Sequence, residues 1–388
     1  MTDLTKIDMH EVTRLTRLGR LDEAMTMLRG DRSASQAAPA DEAGTIDMEA
    51  DETGTFRASR GEHAASPKSG GDPLGAARSL AAKFKNGLPA GINVSPLGRK
   101  PADESPSTQS VRDGARWETG SHRHGRAERR YRLYVPTNRP DGPMPLIVML
   151  HGCTQDAVDF ALGTAMNEAA EQRGFSVLYP EQSRQANQNG CWNWFTADGQ
   201  SATNGESALL ADMVRSIAAA ETIDTRRIYV AGLSAGGAMA AILGQNHGDL
   251  FAAIGVHSGL AAGSANNMMG AFSAMQNGGP GGGSQHAVRA IVIHGDRDQT
   301  VASINGTQVI EQALGSVKLQ KSRMKGSVGS RDYTRERWTD SRGRAHAEHW
   351  LLHGGGHAWS GGSPKGSYTD PDGPSATDAM VSFFLDEG

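Results

Sequence analysis

The sequence predicts an α/β protein with a mainly parallel sheet and helices on both faces, preceded by a largely disordered N-terminal segment. Three observations predict it. From Arg129 onward, short apolar runs alternate with helix-length segments, the rhythm of strand and crossover helix. The runs themselves (LIVML, RIYVA, AIVIH) are almost continuously apolar, as strands buried on both faces must be. The first third, by contrast, has scattered apolar residues and no sustained period of 2 or 3.6.

Taken in order, residues 1–30 contain a helical hairpin, with Val12, Leu15 and Leu18 on one stripe, Gly19 as a break, and Leu21, Met25 and Leu28 on a second. It is read either as a device for docking or self-association through residues 8–29, or as an exposed amphipathic arm. Residues 31–122 are rich in Ala, Ser, Gly, Asp and Pro and read as a disordered linker. The folded α/β domain is expected over 123–388. Its strands are expected at 129–135, 145–150, 175–179, 227–231, 252–256, 289–293 and 349–352, where β-branched and aromatic residues cluster between turn signals. Helices are expected at 157–172, 207–220, 237–245, 304–314 and 377–385. Residues 260–287, rich in Gly, Asn and Met and containing GGPGGGS, interrupt the rhythm and are expected to form a flexible surface insert.

Bulk properties exclude several classes of function. A formal net charge of -4 over 388 residues provides no basic face, so neither nucleic acid nor anionic lipid is expected as a partner. No apolar run reaches the roughly 18 residues of a membrane span, and the N-terminus lacks the apolar core of a signal peptide. This favours a cytoplasmic address but leaves localisation open. The two cysteines, Cys153 and Cys191, allow one disulfide or two free thiols and resemble no zinc cluster, so no metal is expected, and the serine chemistry of residues 232–236 calls for no organic cofactor.

The chemistry is concentrated in residues 232–236, Gly-Leu-Ser-Ala-Gly, which lie between the strand RIYVA and a small-residue helix start. In that context GxSxG presents Ser234 on a sharp strand-to-helix turn, and the glycines remove the clashes that such a turn creates. The bland alternative is a serine that only caps a helix. A serine hydroxyl needs a histidine base and an acid to orient it, in the chain order serine, acid, histidine. Asp298 follows the strand AIVIH, with Asp296 two residues earlier competing for the role. His357 follows the last strand behind three glycines, whereas His349 and His353 lie within or beside that strand. The oxyanion donors are expected to be the N–H groups of Cys153, in the loop after LIVML, and Ala235. His151 precedes the serine and is read as structural.

The ordered set HGCTQ, CWNWF, GLSAGG, HGDRDQTV and GGGHAW resembles the poly(3-hydroxybutyrate) depolymerase-type esterase family over roughly residues 129–386. The resemblance implies an α/β-hydrolase fold and a triad of Ser234, Asp298 and His357, with the acid on Asp298 rather than Asp296. It also implies a Cys153–Cys191 disulfide, in tension with a cytoplasmic address because similar proteins are often extracellular and cytosolic thiols are kept reduced. Trp192, Trp194 and Trp359 stand beside these motifs and are expected to wall a substrate pocket, the alternative being core packing. Gln155 and Asn193 are expected to add polar substrate contacts. The expected activity is hydrolysis of short-chain, hydroxyalkanoate-oligomer or aryl esters, since nothing in the linker or after Leu385 resembles a polymer-adsorption domain. Two alternatives are an acyltransferase using the same triad and a non-catalytic binding module on a hydrolase fold.

Overall fold

The computed structural model describes residues 112–283 and 287–386, together with the backbone of two short strands, β1 (Asp47–Ala50) and β2 (Phe56–Ser59). The hairpin expected at 1–30 lies outside the described residues. The chain divides into two units, 1–92 and 93–388. In the first, β1 and β2 pair antiparallel inside the interval read as linker.

The second unit runs β3 (Arg116–His124), β4 (Ala127–Val135), β5 (Met144–Leu150), α1 (Ala157–Thr164), α2 (Met166–Arg173), β6 (Ser176–Glu181), α3 (Gly205–Ala220), β7 (Ile223–Leu233), α4 (Ala235–Asn246) and β8 (Ala253–His257). It continues α5 (Met268–Asn277), β9 (Ala290–Gly295), α6 (Ile304–Leu314), β10 (Gln320–Val328), β11 (Arg331–Thr339), β12 (Ala345–Leu352), β13 (Trp359–Ser360), β14 (Thr369–Asp370) and α7 (Ala376–Leu385). Ten strands form one sheet in the order β10-β11-β12-β9-β8-β7-β5-β6-β4-β3. From β12 to β6 the pairing is parallel, and an antiparallel pair closes each end.

Why the apolar runs became inner strands is visible in β5. Its side chains alternate, so Leu146, Val148 and Leu150 join a core under α3 and α4, while Ile147 and Met149 join a second core with Phe160, Met380 and Phe384 from α1 and α7. Full burial of each such side chain contributes roughly 1.5–3 kcal/mol, which only a sheet covered on both sides provides for consecutive residues.

Four expectations need correction. The sheet begins at Arg116, not after residue 122: β3 pairs with β4 along nine residues around a two-residue turn, where Gly125 has φ 59°. As a polar edge strand (RWETGSHRH), it carries no apolar alternation to read. The helix expected at 157–172 is two helices broken at Ala165, which has φ 53°. The break frees the carbonyl of Thr164, which accepts the Thr377 hydroxyl from α7 at 2.6 Å, a tertiary contact that local propensity does not encode. The flexible insert 260–287 contains helix α5, capped by Asn267 and anchored by buried Ala271 and Ala274. Finally, the basic hairpin of β10 and β11 was not expected; its Lys and Arg residues guard the exposed edge of the sheet.

Candidate active site

Parallel strands all end at one edge, and the loops leaving β5, β7, β9 and β12 gather there the residues singled out by the motifs. The chain leaves β7 and enters α4 through a single residue, Ser234, held at φ 57° and ψ -119°. That conformation costs a non-glycine residue about 1–3 kcal/mol and persists only where the surroundings impose it. Here Ser234 N–H donates to the carbonyl of His257 at 2.9 Å. A Cβ on Gly232 would lie 2.4 Å from the Gly236 carbonyl carbon, and one on Gly236 would lie 2.0 Å from Leu150 O. The glycines are therefore required by the close approach of the turn to itself and to β5.

On the loop after β9, the buried carboxylate of Asp298 is saturated with donors. Oδ1 accepts from Thr300 N and Val301 N, each at 2.9 Å, and Oδ2 accepts from His357 Nδ1 at 2.7 Å. Burial alone would raise this carboxyl; the charge and hydrogen bond of His357, then His294 and the Val301 N–H, overcome it and hold the group at about 2. Asp298 thus fixes the His357 proton on Nδ1, leaving Nε2 as the basic nitrogen. No hydrogen bond joins Ser234 Oγ to His357 among the described residues; such bonds are often long without substrate and tighten when it binds.

Asp296 belongs to a different pair. It accepts from His353 Nδ1 at 2.9 Å and from Gly354 N at 2.7 Å, while His353 Nε2 meets Thr334 Oγ1 at 2.9 Å. With Arg297 N donating to Gly355 O at 3.0 Å, this stitches the Asp298 loop to the His357 loop.

Across from the serine lies the loop 151–155. His151 is buried, its Nε2 accepts from Gln182 N at 3.1 Å and its Nδ1 therefore donates to Gly152 O at 2.8 Å, a structural role. Burial lowers its pKa, keeping the ring neutral. Gly152 N–H is taken by Gln155 Oε1 and Thr154 N–H by Asn189 O; between them, the Cys153 N–H has no hydrogen-bond partner among the described residues. Cys153 is joined to Cys191 in a disulfide spanning 38 positions.

The structure revises the expected substrate contacts. Trp192, 0% exposed, is core: its Nε1 donates to His151 O at 3.0 Å. Trp359, 1% exposed, packs edge-on against Phe160 and donates to Thr377 Oγ1. Neither offers a face to a ligand, because the large indole surface was worth more in the core than at the rim. Trp194 retains 6% exposure against the same core as Trp192. Asn193 is engaged in bracing: its N–H and Nδ2 donate to Glu206, and its Oδ1 accepts from Asn187. Gln155 is likewise engaged, at Gly152, Asp159 and Ser367, and is 6% exposed.

Several supporting residues escaped the motif reading. Glu206, on the first turn of α3, takes Arg129, Gln182 and both Asn193 donors, tying the CWNWF loop to β4. His257 links the Ser234 turn to the segment after His357, its carbonyl binding Ser234 N and its Nε2 accepting Ser360 N at 3.1 Å. An acid in the first turn of a helix was the available signal for Glu206; His257, at the end of a buried strand, carried none beyond its polarity.

Fold and site together define an α/β-hydrolase. In fold, the chain is similar to the acetyl xylan esterase from Aspergillus awamori, with a TM-score of 0.51 at 21% identity, covering 66% of this chain and 93% of that one. Residues 129–331 match the family model for esterase PHB depolymerase, and the chain belongs to that family. Among curated relatives, it is 32% identical over 193 residues to poly(3-hydroxyalkanoate) depolymerase C of Paucimonas lemoignei, covering 46% of each chain. It is 30% identical over 256 residues to the poly(3-hydroxybutyrate) depolymerase of Ralstonia pickettii, covering 60% of this chain and 52% of that one. The chain spans about half the length of these relatives.

Proposed function

We propose that this protein is a serine carboxylic ester hydrolase acting through an acyl-enzyme. The observation that carries the reading is the hydrogen-bonded pair of buried Asp298 and part-buried His357 on loops at the same sheet edge as the strained Ser234 turn. In the reaction, His357 Nε2 takes the Ser234 proton as Oγ bonds to the ester carbonyl carbon, and the oxyanion rests on the N–H groups of Cys153 and Ala235. Collapse of the intermediate breaks the bond to the alcohol, which leaves with the proton from His357. Water, deprotonated by the same nitrogen, then releases the acid and restores Ser234. The ionised Asp298 stabilises the imidazolium formed in each half.

Relatives named for poly(3-hydroxyalkanoate) and poly(3-hydroxybutyrate) favour hydroxyalkanoate oligomers as substrates, alongside short-chain and aryl esters. The test is Ser234→Ala: turnover of p-nitrophenyl butyrate and labelling by a fluorophosphonate should both vanish while the circular dichroism spectrum is unchanged. Undiminished turnover by this variant would refute the reading.

A further inference from the structure

The carboxamide of Gln155 joins three parts of the site wall. Its Oε1 accepts Gly152 N–H at 2.9 Å, and its Nε2 donates to Asp159 Oδ2 at 2.9 Å and to the carbonyl of Ser367 at 3.2 Å. From the first turn of α1, Asp159 also accepts the Ser367 N–H at 2.9 Å and the Ser367 hydroxyl at 2.5 Å. Ser367 belongs to the segment that follows the His357 loop, and this segment lies on α1. Ser363 N–H donates to Gly163 O at 2.8 Å, and a Cβ on Gly366 would fall 2.4 Å from the Gly163 Cα. A further bridge joins Thr154 Oγ1 to Tyr368 OH at 3.1 Å, between two residues held at φ 68° and 53°.

From this arrangement we infer that Gln155 and Asp159 are positioning residues that set the oxyanion loop against the nucleophile and lock it to the segment carrying the base, an inference that rests on the serine-esterase reading. The tolerance is small. An oxyanion donor works within about 2.7–3.1 Å of the developing charge, so an ångström of loop drift removes its effect. A Cβ added at Gly152 would stand 3.7 Å from Ser234 Cβ, so the loop runs beside Ser234 with little more than a methyl group's space between them. Holding the Gly152 N–H orients the next peptide, whose N–H is the one at Cys153.

A carboxamide is required because the position must accept from Gly152 and donate to Asp159 and Ser367 at once. In Gln155→Glu the new carboxylate keeps the acceptor but faces Asp159 where a donor stood 2.9 Å away. Two carboxylates at that distance repel, which raises the pKa of one of them, and the proton it takes up as the pH falls restores a donor. Charged groups on the packed elements are Asp156 and Asp159 at the start of α1 and the exposed Lys365 on the docked segment; His151 is buried and neutral. Acid should therefore rescue this variant.

The test uses the full chain, steady-state hydrolysis of p-nitrophenyl butyrate from about pH 8 to about pH 6, and fluorophosphonate labelling of Ser234. Gln155→Ala should lower kcat roughly 10- to 100-fold with KM within about twofold, the signature of an interaction expressed in the transition state. The ratio of Gln155→Glu to wild-type kcat should climb as pH falls. Should Gln155→Ala not fold, the isosteric Gln155→Glu decides the matter by that ratio alone. An active, labelled wild type with Gln155→Ala at full kcat, or with a flat Gln155→Glu ratio, overturns the positioning role only. A wild type that neither turns over nor labels overturns the esterase reading and this inference together.

Discussion

Replacing Asp298 by asparagine removes a charge while nearly preserving shape, and the local geometry dictates the outcome. The side chain is 0% exposed, with two N–H donors at 2.9 Å on one oxygen and His357 Nδ1 at 2.7 Å on the other. Asparagine has a single acceptor oxygen, and the two backbone donors claim it, which turns its NH2 toward His357. Nδ1 must then accept, the ring proton moves to Nε2, and the imidazole cannot take the Ser234 proton. The site holds the carboxyl at about 2 against an ordinary 3.8. That corresponds to roughly 2 kcal/mol in favour of the carboxylate even after the cost of burial. Loss of this charge opposite a developing imidazolium, added to the wrong tautomer, should lower kcat by about 10³- to 10⁴-fold, or about 4–5.5 kcal/mol. Steady-state kinetics on p-nitrophenyl butyrate, with a thermal melt to establish folding, measures it. A folded Asp298→Asn variant retaining more than about one tenth of the wild-type kcat would show that Asp298 does not orient the base.

Two further outcomes concern stability. Reduction of Cys153–Cys191 opens a loop spanning 38 positions and should cost about 3–4 kcal/mol, seen as a lower melting temperature in reductant; identical melts with and without reductant would contradict it. Burial, then the neighbouring His294, lowers His257 to about 3 and His349 to about 4, so both are neutral when folded and take up protons on unfolding below about pH 6.5. Their contribution is intact above that pH and lost as the pH falls toward 4. Asp298, held at about 2, keeps its contribution until the pH drops below about 4. Urea titrations should lose up to about 4 kcal/mol between pH 7 and pH 5, and an unchanged midpoint over that range would count against neutral buried histidines.

Much of this candidate site was legible because loops at the end of a parallel sheet leave local marks. GLSAG between a strand and a helix, HGDRD after a buried strand and GGGHAW after another each declare themselves within a few residues. The choice between Asp298 and Asp296 needed either family resemblance or coordinates, since two residues of separation do not say which carboxylate turns inward. In the structure each aspartate has its own histidine, Asp298 with His357 at 2.7 Å and Asp296 with His353 at 2.9 Å, and only the first pair supports the proposed triad.

What the order of residues determined by itself is the parallel core, the Ser234 turn and the chain order of the motifs that carry Ser234, Asp298 and His357, because each depends on short-range periodicity or on glycine where no Cβ fits. What only tertiary structure decided is where amphipathic side chains spend their surface. Trp192 and Trp359 went to the core, Gln155 and Asn193 became braces, and Glu206 became a buried hub for Arg129, Gln182 and Asn193. A tryptophan or glutamine beside a motif suits either a pocket or its support. The difference is set by partners tens to hundreds of residues away, as when Gln155 meets Ser367 across the loop that carries the base.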